Sequence, residues 1–164
     1  MKDLTSFLAD AEGETVRIEQ PISVRYEVTA LQHKLGIEHR DPALLLEQPR
    51  LANGSVSSFR AVTNLNASRA RVARALGLDS HRTAAFDLAA LMSARIEPVR
   101  VSRADAPVKQ VAMPGPGLSL GAMPVFTQHD CDPGPYLTAA HATTYDPDTG
   151  VDNTAIQRLW AKPG

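Results

Sequence analysis

The chain has 164 residues, a formal net charge of −1, 43% hydrophobic residues and one cysteine. That size allows one ordinary domain, or one small domain plus part of another, and it excludes a large multidomain assembly within these residues. The near-neutral balance excludes a global field that would draw the chain to nucleic acid or anionic membrane, and the apolar fraction excludes disorder over most of its length.

The first elements alternate between helix and strand. Asp3 is placed to N-cap a helix with Leu4, Phe7, Leu8 and Ala11 on one face, with Gly13 as its stop. Residues 14–19 alternate Val16 and Ile18 with polar neighbours, which predicts a half-buried strand ended by Pro21. A second helix is expected over 26–38, with Val28, Leu31 and Leu35 inward. The apolar run Ala43 to Glu47 reads as a strand buried on both faces. Residues 59–62 form another expected strand. Ser68 then caps a third helix that Gly77 terminates, and a fourth runs over 82–95 before Pro98. Phe7, Leu8, Val16, Ile18, Leu31, Leu45, Val72, Leu76, Phe86 and Leu91 are the expected core of this part. Arg69, Arg71 and Arg74 surround Val72, Ala75 and Leu76, a pattern read as a solvated outer face and not a phosphate stripe.

The texture changes after Pro98, where prolines and glycines interrupt short apolar runs. Residues 98–106 read as a linker, giving domains 1–106 and 107–164. Two strands, 136–145 and 151–162, flank the turn D-P-D-T-G, in which Pro pre-sets φ and Gly supplies positive φ. The N-terminus has no apolar h-region, and no stretch approaches the roughly 18 apolar residues of a membrane span. The expectation is a soluble, cytoplasmic protein with no disulfide.

Several chemical candidates reduce to ordinary structure. His129-Asp130-Cys131-Asp132 is metal-like in composition, but neighbours in sequence seldom converge on one ion, and zinc-like spacing is absent. It reads as a loop. Cys131 has no identifiable histidine partner, His33, His39, His81 and His141 are scattered, and G-P-G at 115–117 is a turn. Asn153 and Arg158 stand apart from these. An amide oxygen is a hard neutral donor suited to Mg²⁺ or Mn²⁺, and a guanidinium clamps carboxylate or phosphate in bidentate fashion. Viewed alone, an Asn after a turn and an Arg snorkelling from an edge strand are ordinary features of a surface.

Taken together, several stretches resemble the UbiD family of carboxy-lyases, which use prenylated flavin mononucleotide. They are D-L-T-S-F-L-A-D-A-E-G-E-T-V-R-I, P-I-S-V-R-Y-E-V-T-A-L, T-N-L-N-A-S-R-A-R-V-A-R-A-L-G-L from Thr63, M-P-V-F-T-Q-H-D-C-D-P-G-P-Y-L-T-A from Met123, and D-P-D-T-G-V-D-N-T-A-I-Q-R from Asp146. The resemblance covers nearly the whole chain. It implies an α+β fold: a small N-terminal α/β domain followed by an incomplete segment of a flavin-reductase-like split β-barrel. It further implies reversible decarboxylation of an aromatic or α,β-unsaturated carboxylic acid, with prenylated FMN and Mn²⁺ as cofactors.

By the same resemblance Asn153 is the Mn²⁺ ligand, Ile156, Gln157 and Arg158 contact the flavin, and Arg158 is the catalytic residue that holds the substrate carboxylate. The family has an aromatic or small residue where Gln157 stands, which puts a side-chain contact there in question. The family's remaining metal ligands and acidic residues fall beyond Gly164. The chain alone is therefore expected to be incompetent, and a homo-oligomer or a partner chain is expected to complete it. The alternative from another class is a non-catalytic assembly module or a fragment that needs a partner chain. Asn153 and Arg158 also pose a geometric conflict, because an odd separation puts two residues on opposite faces of a regular strand. A shared site requires irregular pairing or a strand start between Asp152 and Ile156.

Overall fold

The computed structural model describes residues 3–162 apart from 79, 81, 83, 94–98, 113–114 and 116–118. Backbone contacts divide it into two compact units, residues 1–14 with 65–118, and residues 15–64 with 119–164. The expected boundary between 106 and 107 falls inside the first of these.

In the first unit, helix α1 (Leu4–Asp10) begins as its sequence dictates. The Asp3 carboxylate accepts the Ser6 N–H at 2.7 Å and the Ser6 hydroxyl at 2.9 Å. These bonds, the backbone one first, hold the Asp3 carboxyl below its ordinary range. The helix stops at Ala11, and Gly13 sits within a 3₁₀ turn, Glu12–Glu14, instead of serving as the stop itself. Helix α3 (Arg69–Ala75) carries its Ser68 cap and a Schellman end: Gly77 at φ +72, its N–H on the Arg74 carbonyl, and the Leu78 N–H on that of Ala73.

The arginine run does not form a solvated face. Arg71 is 1% exposed, its Nε donates to the Leu65 carbonyl at 2.9 Å, and its guanidinium reaches Glu14 at 3.2 Å. Arg74 reaches the other Glu14 oxygen at 2.7 Å. A carboxylate 57 residues upstream of Arg71 supplies the charge that admits it to the interior, and spacing along the helix gives no sign of it. Leu76, expected inward, is 45% exposed in turn. Helix α4 (Ala84–Ser93) forms within the expected span, but Phe86 and Leu91 are exposed, so neither belongs to a core among the described residues. Arg82, the expected first residue, lies in a turn with its N–H on the Ser80 hydroxyl at 3.1 Å, and residues 83 and 94–95, with Pro98 and most of G-P-G, lie outside the described residues.

The second unit holds a small mixed sheet. Strand β3 (Ala43–Leu46) is central, parallel to β1 (Thr15–Ile18) and antiparallel to β5 (Ala61–Thr63). All four β3 residues are buried, as an uninterrupted apolar run between two neighbours requires. Val16 lies outward at 40% exposure, and β5 begins two residues after its expected start. Two short strands, β2 (Ile22–Ser23) and β4 (Pro49–Arg50), pair in parallel. Helix α2 (Glu27–Ile37) lays Val28 and Leu35 on Leu44 and Leu46, with Ile18, Ile22, Leu31 and Phe126 around them. Each such buried side chain contributes about 1.5–3 kcal/mol of transfer free energy.

Phe126 shows that the later chain is part of this core. Thr127 donates its N–H to the Val24 carbonyl and accepts that of Tyr26, both at 3.0 Å, so residues 125–127 run beside residues 24–26. From there the chain enters a two-stranded ladder, β6 (Tyr136–Tyr145) and β7 (Asp152–Trp160).

Candidate functional site

The turn between β6 and β7 is set by Asp146. Its carboxylate accepts the N–H groups of Asp148 at 2.9 Å and Thr149 at 2.7 Å, while Gly150 takes φ +70. The Thr149 N–H, its hydroxyl and then the Asp148 N–H hold the Asp146 carboxyl below its ordinary range. The ladder that follows is regular from Tyr145 opposite Asp152 to Ala140 opposite Gln157, and the Thr143 and Thr154 hydroxyls meet across it at 2.8 Å.

Strand alternation then assigns faces. Asn153, Ala155 and Gln157 share one side, opposite Thr144, Ala142 and Ala140, and Thr154 and Ile156 take the other. The irregularity expected between Asp152 and Ile156 is not there: Asn153 is the second residue of the strand, and its pairing is regular. The break lies further on. Leu137 pairs with Leu159 and Ala140 with Gln157, so Thr138 and Ala139 together oppose Arg158. This two-on-one arrangement is a β-bulge in β6, which raises the local twist of the pair; alternation along β7 itself still places Arg158 with Thr154 and Ile156, on the face opposite Asn153. Nothing in residues 138–139 announces it, because a bulge depends on the partner strand.

Asn153, Ile156, Gln157 and Arg158 are all exposed. The Arg158 guanidinium has no hydrogen-bond or ion-pair partner among the described residues, whereas Arg17, Arg50 and Arg71 each pair with a glutamate.

Beyond the bulge β7 is anchored. Trp160 stacks on Tyr136 at 6.2 Å between ring centroids, Lys162 Nζ lies 4.7 Å over the indole, and the Ala161 N–H donates to the Pro135 carbonyl at 2.9 Å. Gly134 lies directly against this indole, since a Cβ there would come 2.5 Å from Trp160 Nε1.

The His129–Asp132 segment is the loop its composition suggested. Asp132 accepts the His129 N–H at 2.8 Å and lies 3.6 Å from its Nδ1. Cys131 is free and exposed, and no metal-holding group of three His, Cys, Asp or Glu occurs among the described residues. Among the described residues, two of the cavities carry no clear signal in the sequence. One of about 870 Å³ is lined by Tyr26, Thr29, His33, Asn64, Gln128 and His129 among others. Tyr26 and Asn64 both sit at left-handed φ, +69 and +64. Asparagine often adopts that region, so Asn64 carried a weak signal; a tyrosine there carried none. The other, about 400 Å³, borders Val62, Phe126 and the bulge residues Thr138 and Ala139.

As donors, the residues in hand fit a contribution to a metal–phosphate site and not the whole of one. Asn153 offers a single neutral oxygen of the hard type that Mn²⁺ accepts, and Arg158 an uncommitted bidentate clamp.

Comparison with known proteins gives a consistent picture. Residues 8–91 match the family model of the 3-octaprenyl-4-hydroxybenzoate carboxy-lyase N-terminal domain, and residues 99–162 that of the carboxy-lyase Rift-related domain. An uncharacterized protein of Aquifex aeolicus is 25% identical over 180 residues, covering 96% of this chain and 36% of that protein. An evolved dimeric form of the UbiD-class enzyme HmfF from Pelotomaculum thermopropionicum, in complex with prFMN, superposes with a TM-score of 0.84 at 30% identity, covering 98% of this chain and 36% of that one. The vanillic acid decarboxylase of Sedimentibacter hydroxybenzoicus in closed form gives 0.85 at 24% identity, covering 99% and 35%, which shows the shared fold. The chain thus spans little more than a third of the length of the relatives it matches.

Proposed function

The chain belongs to the UbiD family of carboxy-lyases, and from that premise we propose that its β6–β7 hairpin contributes to a site for prenylated-FMN-dependent, reversible decarboxylation of an aromatic or α,β-unsaturated acid. The observation that carries this reading is Arg158: an exposed guanidinium with no partner among the described residues, set at a bulge, in a chain whose other described arginines are often paired with glutamate.

In this reading Arg158 receives the substrate carboxylate in bidentate fashion and fixes the carboxylate against the reacting face before CO₂ leaves. Asn153 would give its amide oxygen to Mn²⁺, and Ile156 and Gln157 would line the flavin. Prenylated FMN, when bound, supplies the electron-accepting ring system that makes loss of CO₂ feasible. Asn153 and Arg158 stand at opposite ends of a six-residue stretch of β7 and on alternate faces of it, so a site shared by both would draw on the twist that the bulge adds opposite Arg158. The 107–164 segment is accordingly taken as the opening of the split-barrel flavin domain. With one neutral donor, residues 1–164 alone are proposed to retain neither Mn²⁺ nor flavin. Groups outside residues 1–164 then complete the site.

The second reading, an assembly module, draws on the exposed apolar residues of the hairpin, Tyr145, Val151 and Ile156. CO₂ release from a panel of aromatic and α,β-unsaturated acids decides between them. The protein in its native assembly, supplied with prenylated FMN, is expected to decarboxylate at least one, and Arg158→Ala to lower that rate by about 100-fold or more. Release unaffected by Arg158→Ala removes the proposed role. Absence of release with flavin bound favours the assembly module.

A further inference from the structure

We propose that Trp160 is a positioning residue for Arg158: seated on Gly134, it holds the bulge that sets the direction of the guanidinium. The inference rests on the reading of Arg158 as a carboxylate clamp and adds what keeps the clamp aimed.

Arg158 lies between two fixed points. On one side the ladder from Asp152 to Gln157 is unbroken and joined by the Thr143–Thr154 contact. On the other, Trp160 opposes Tyr136 in register and stacks on its ring, and the next residue, Ala161, is buried and bonded to Pro135. Between them the strands disagree by one residue, and the surplus on β6 is placed opposite Arg158.

A surplus of this kind is weakly held in an isolated two-stranded ladder with exposed faces. A slip by one residue would erase it and flip every side chain beyond it. What opposes the slip is the fit of one large ring to one small seat. Gly134 accepts the indole only because it lacks a Cβ, which would stand 2.5 Å from Nε1, and Leu159 or Ala161 brought there by a slip would leave the Tyr136 ring unstacked. Small residues at the surplus, Thr138 and Ala139, border the 400 Å³ cavity, so the strand can bow there without a clash. Trp160 therefore selects the bulged register, and the bulge selects the aim of Arg158.

The test compares the isotope-labelled chain with its Gly134→Ala and Trp160→Phe variants by NMR, with benzoate as the carboxylate probe. Trp160 is the sole tryptophan, so its emission reports displacement of the indole directly. In the wild type, Arg158 is expected to show backbone NOEs to both Thr138 and Ala139, and its Nε–H to shift with benzoate. Gly134→Ala should shift the emission, lose one of those NOEs and weaken the benzoate response by about threefold or more, with cross-strand NOEs over Asn153–Gln157 intact. Trp160→Phe keeps a flat ring in the seat and should retain the wild-type pattern. Indole displacement that leaves both NOEs and the benzoate response unchanged overturns the positioning role. So does loss of the whole ladder in both variants, which makes Trp160 a structural residue only. A wild-type Arg158 that ignores benzoate while keeping both NOEs overturns the clamp and this inference with it, a result distinct from failure of the positioning alone.

Discussion

Arg71 and Glu14 form a contact between an almost fully buried guanidinium and a half-exposed carboxylate, 3.2 Å apart, with Arg74 on the second carboxylate oxygen. Truncating Arg71 removes the Leu65 bond as well and leaves Glu14 to Arg74 alone. We expect Arg71→Ala to destabilise the fold by about 1–3 kcal/mol, chiefly from the Leu65 carbonyl left without its donor, since Glu14 stays half-exposed and paired with Arg74. Urea unfolding checks this; a loss near zero means that the guanidinium is solvated in solution.

The same carboxylate makes stability fall in acid. Its bond to Arg74 is the main cause that holds the Glu14 carboxyl below its ordinary value of 4.5. A folded-state pKa depressed below the unfolded one gives stability that is full above about 4.5, and lost as pH falls from there through the lower folded-state value. Thermal melts from pH 7 to pH 3 should show this decline, and Glu14→Gln should flatten it. An equal acid slope in the variant assigns the slope to other carboxylates.

Gly77 and Gly134 are both glycines by necessity, for different reasons. Gly77 has φ +72 and open space around it, so Gly77→Ala should cost about 1 kcal/mol from backbone conformation alone. Gly134→Ala should cost more, because its Cβ meets a ring that has to move. Chemical denaturation of the two variants gives the order directly, and the reverse order would contradict the seating of Trp160.

Elements whose signals are local were legible from the residues. The Asp3 and Ser68 caps, the apolar run of β3, the α2 stripe Val28–Leu31–Leu35 and the D-P-D-T-G turn all formed where expected, because each depends on neighbours a few residues away. What the residues do not reveal by themselves depends on distant partners. Arg71 is buried because of Glu14, β6 is bulged because of the register set at Trp160, and Tyr26 holds φ +69 where Thr127 takes its N–H. At the candidate site, residue type flagged Asn153 and Arg158, and alternation exposed their conflict. The irregularity lies in β6, opposite Arg158 instead of beside Asn153, and seeing it needs the opposite strand.

Protection from exchange should follow burial. Amides of β3, at the centre of its sheet, should exchange slowest, and those of the exposed β6–β7 ladder far faster. Equal protection in the two would mean that the hairpin is covered in solution.

The central claim is that Asn153 and Arg158 serve one flavin site. Its most direct test is the flavin content of the protein purified in its native assembly, supplied with prenylated FMN and Mn²⁺, and read by absorbance. We expect about one flavin per chain in the wild type, loss of most of it in Asn153→Ala through the metal–phosphate anchor, and retention in Arg158→Ala with decarboxylation gone. A wild type without flavin, or an Asn153→Ala variant that keeps all of it with or without Mn²⁺, would contradict the account.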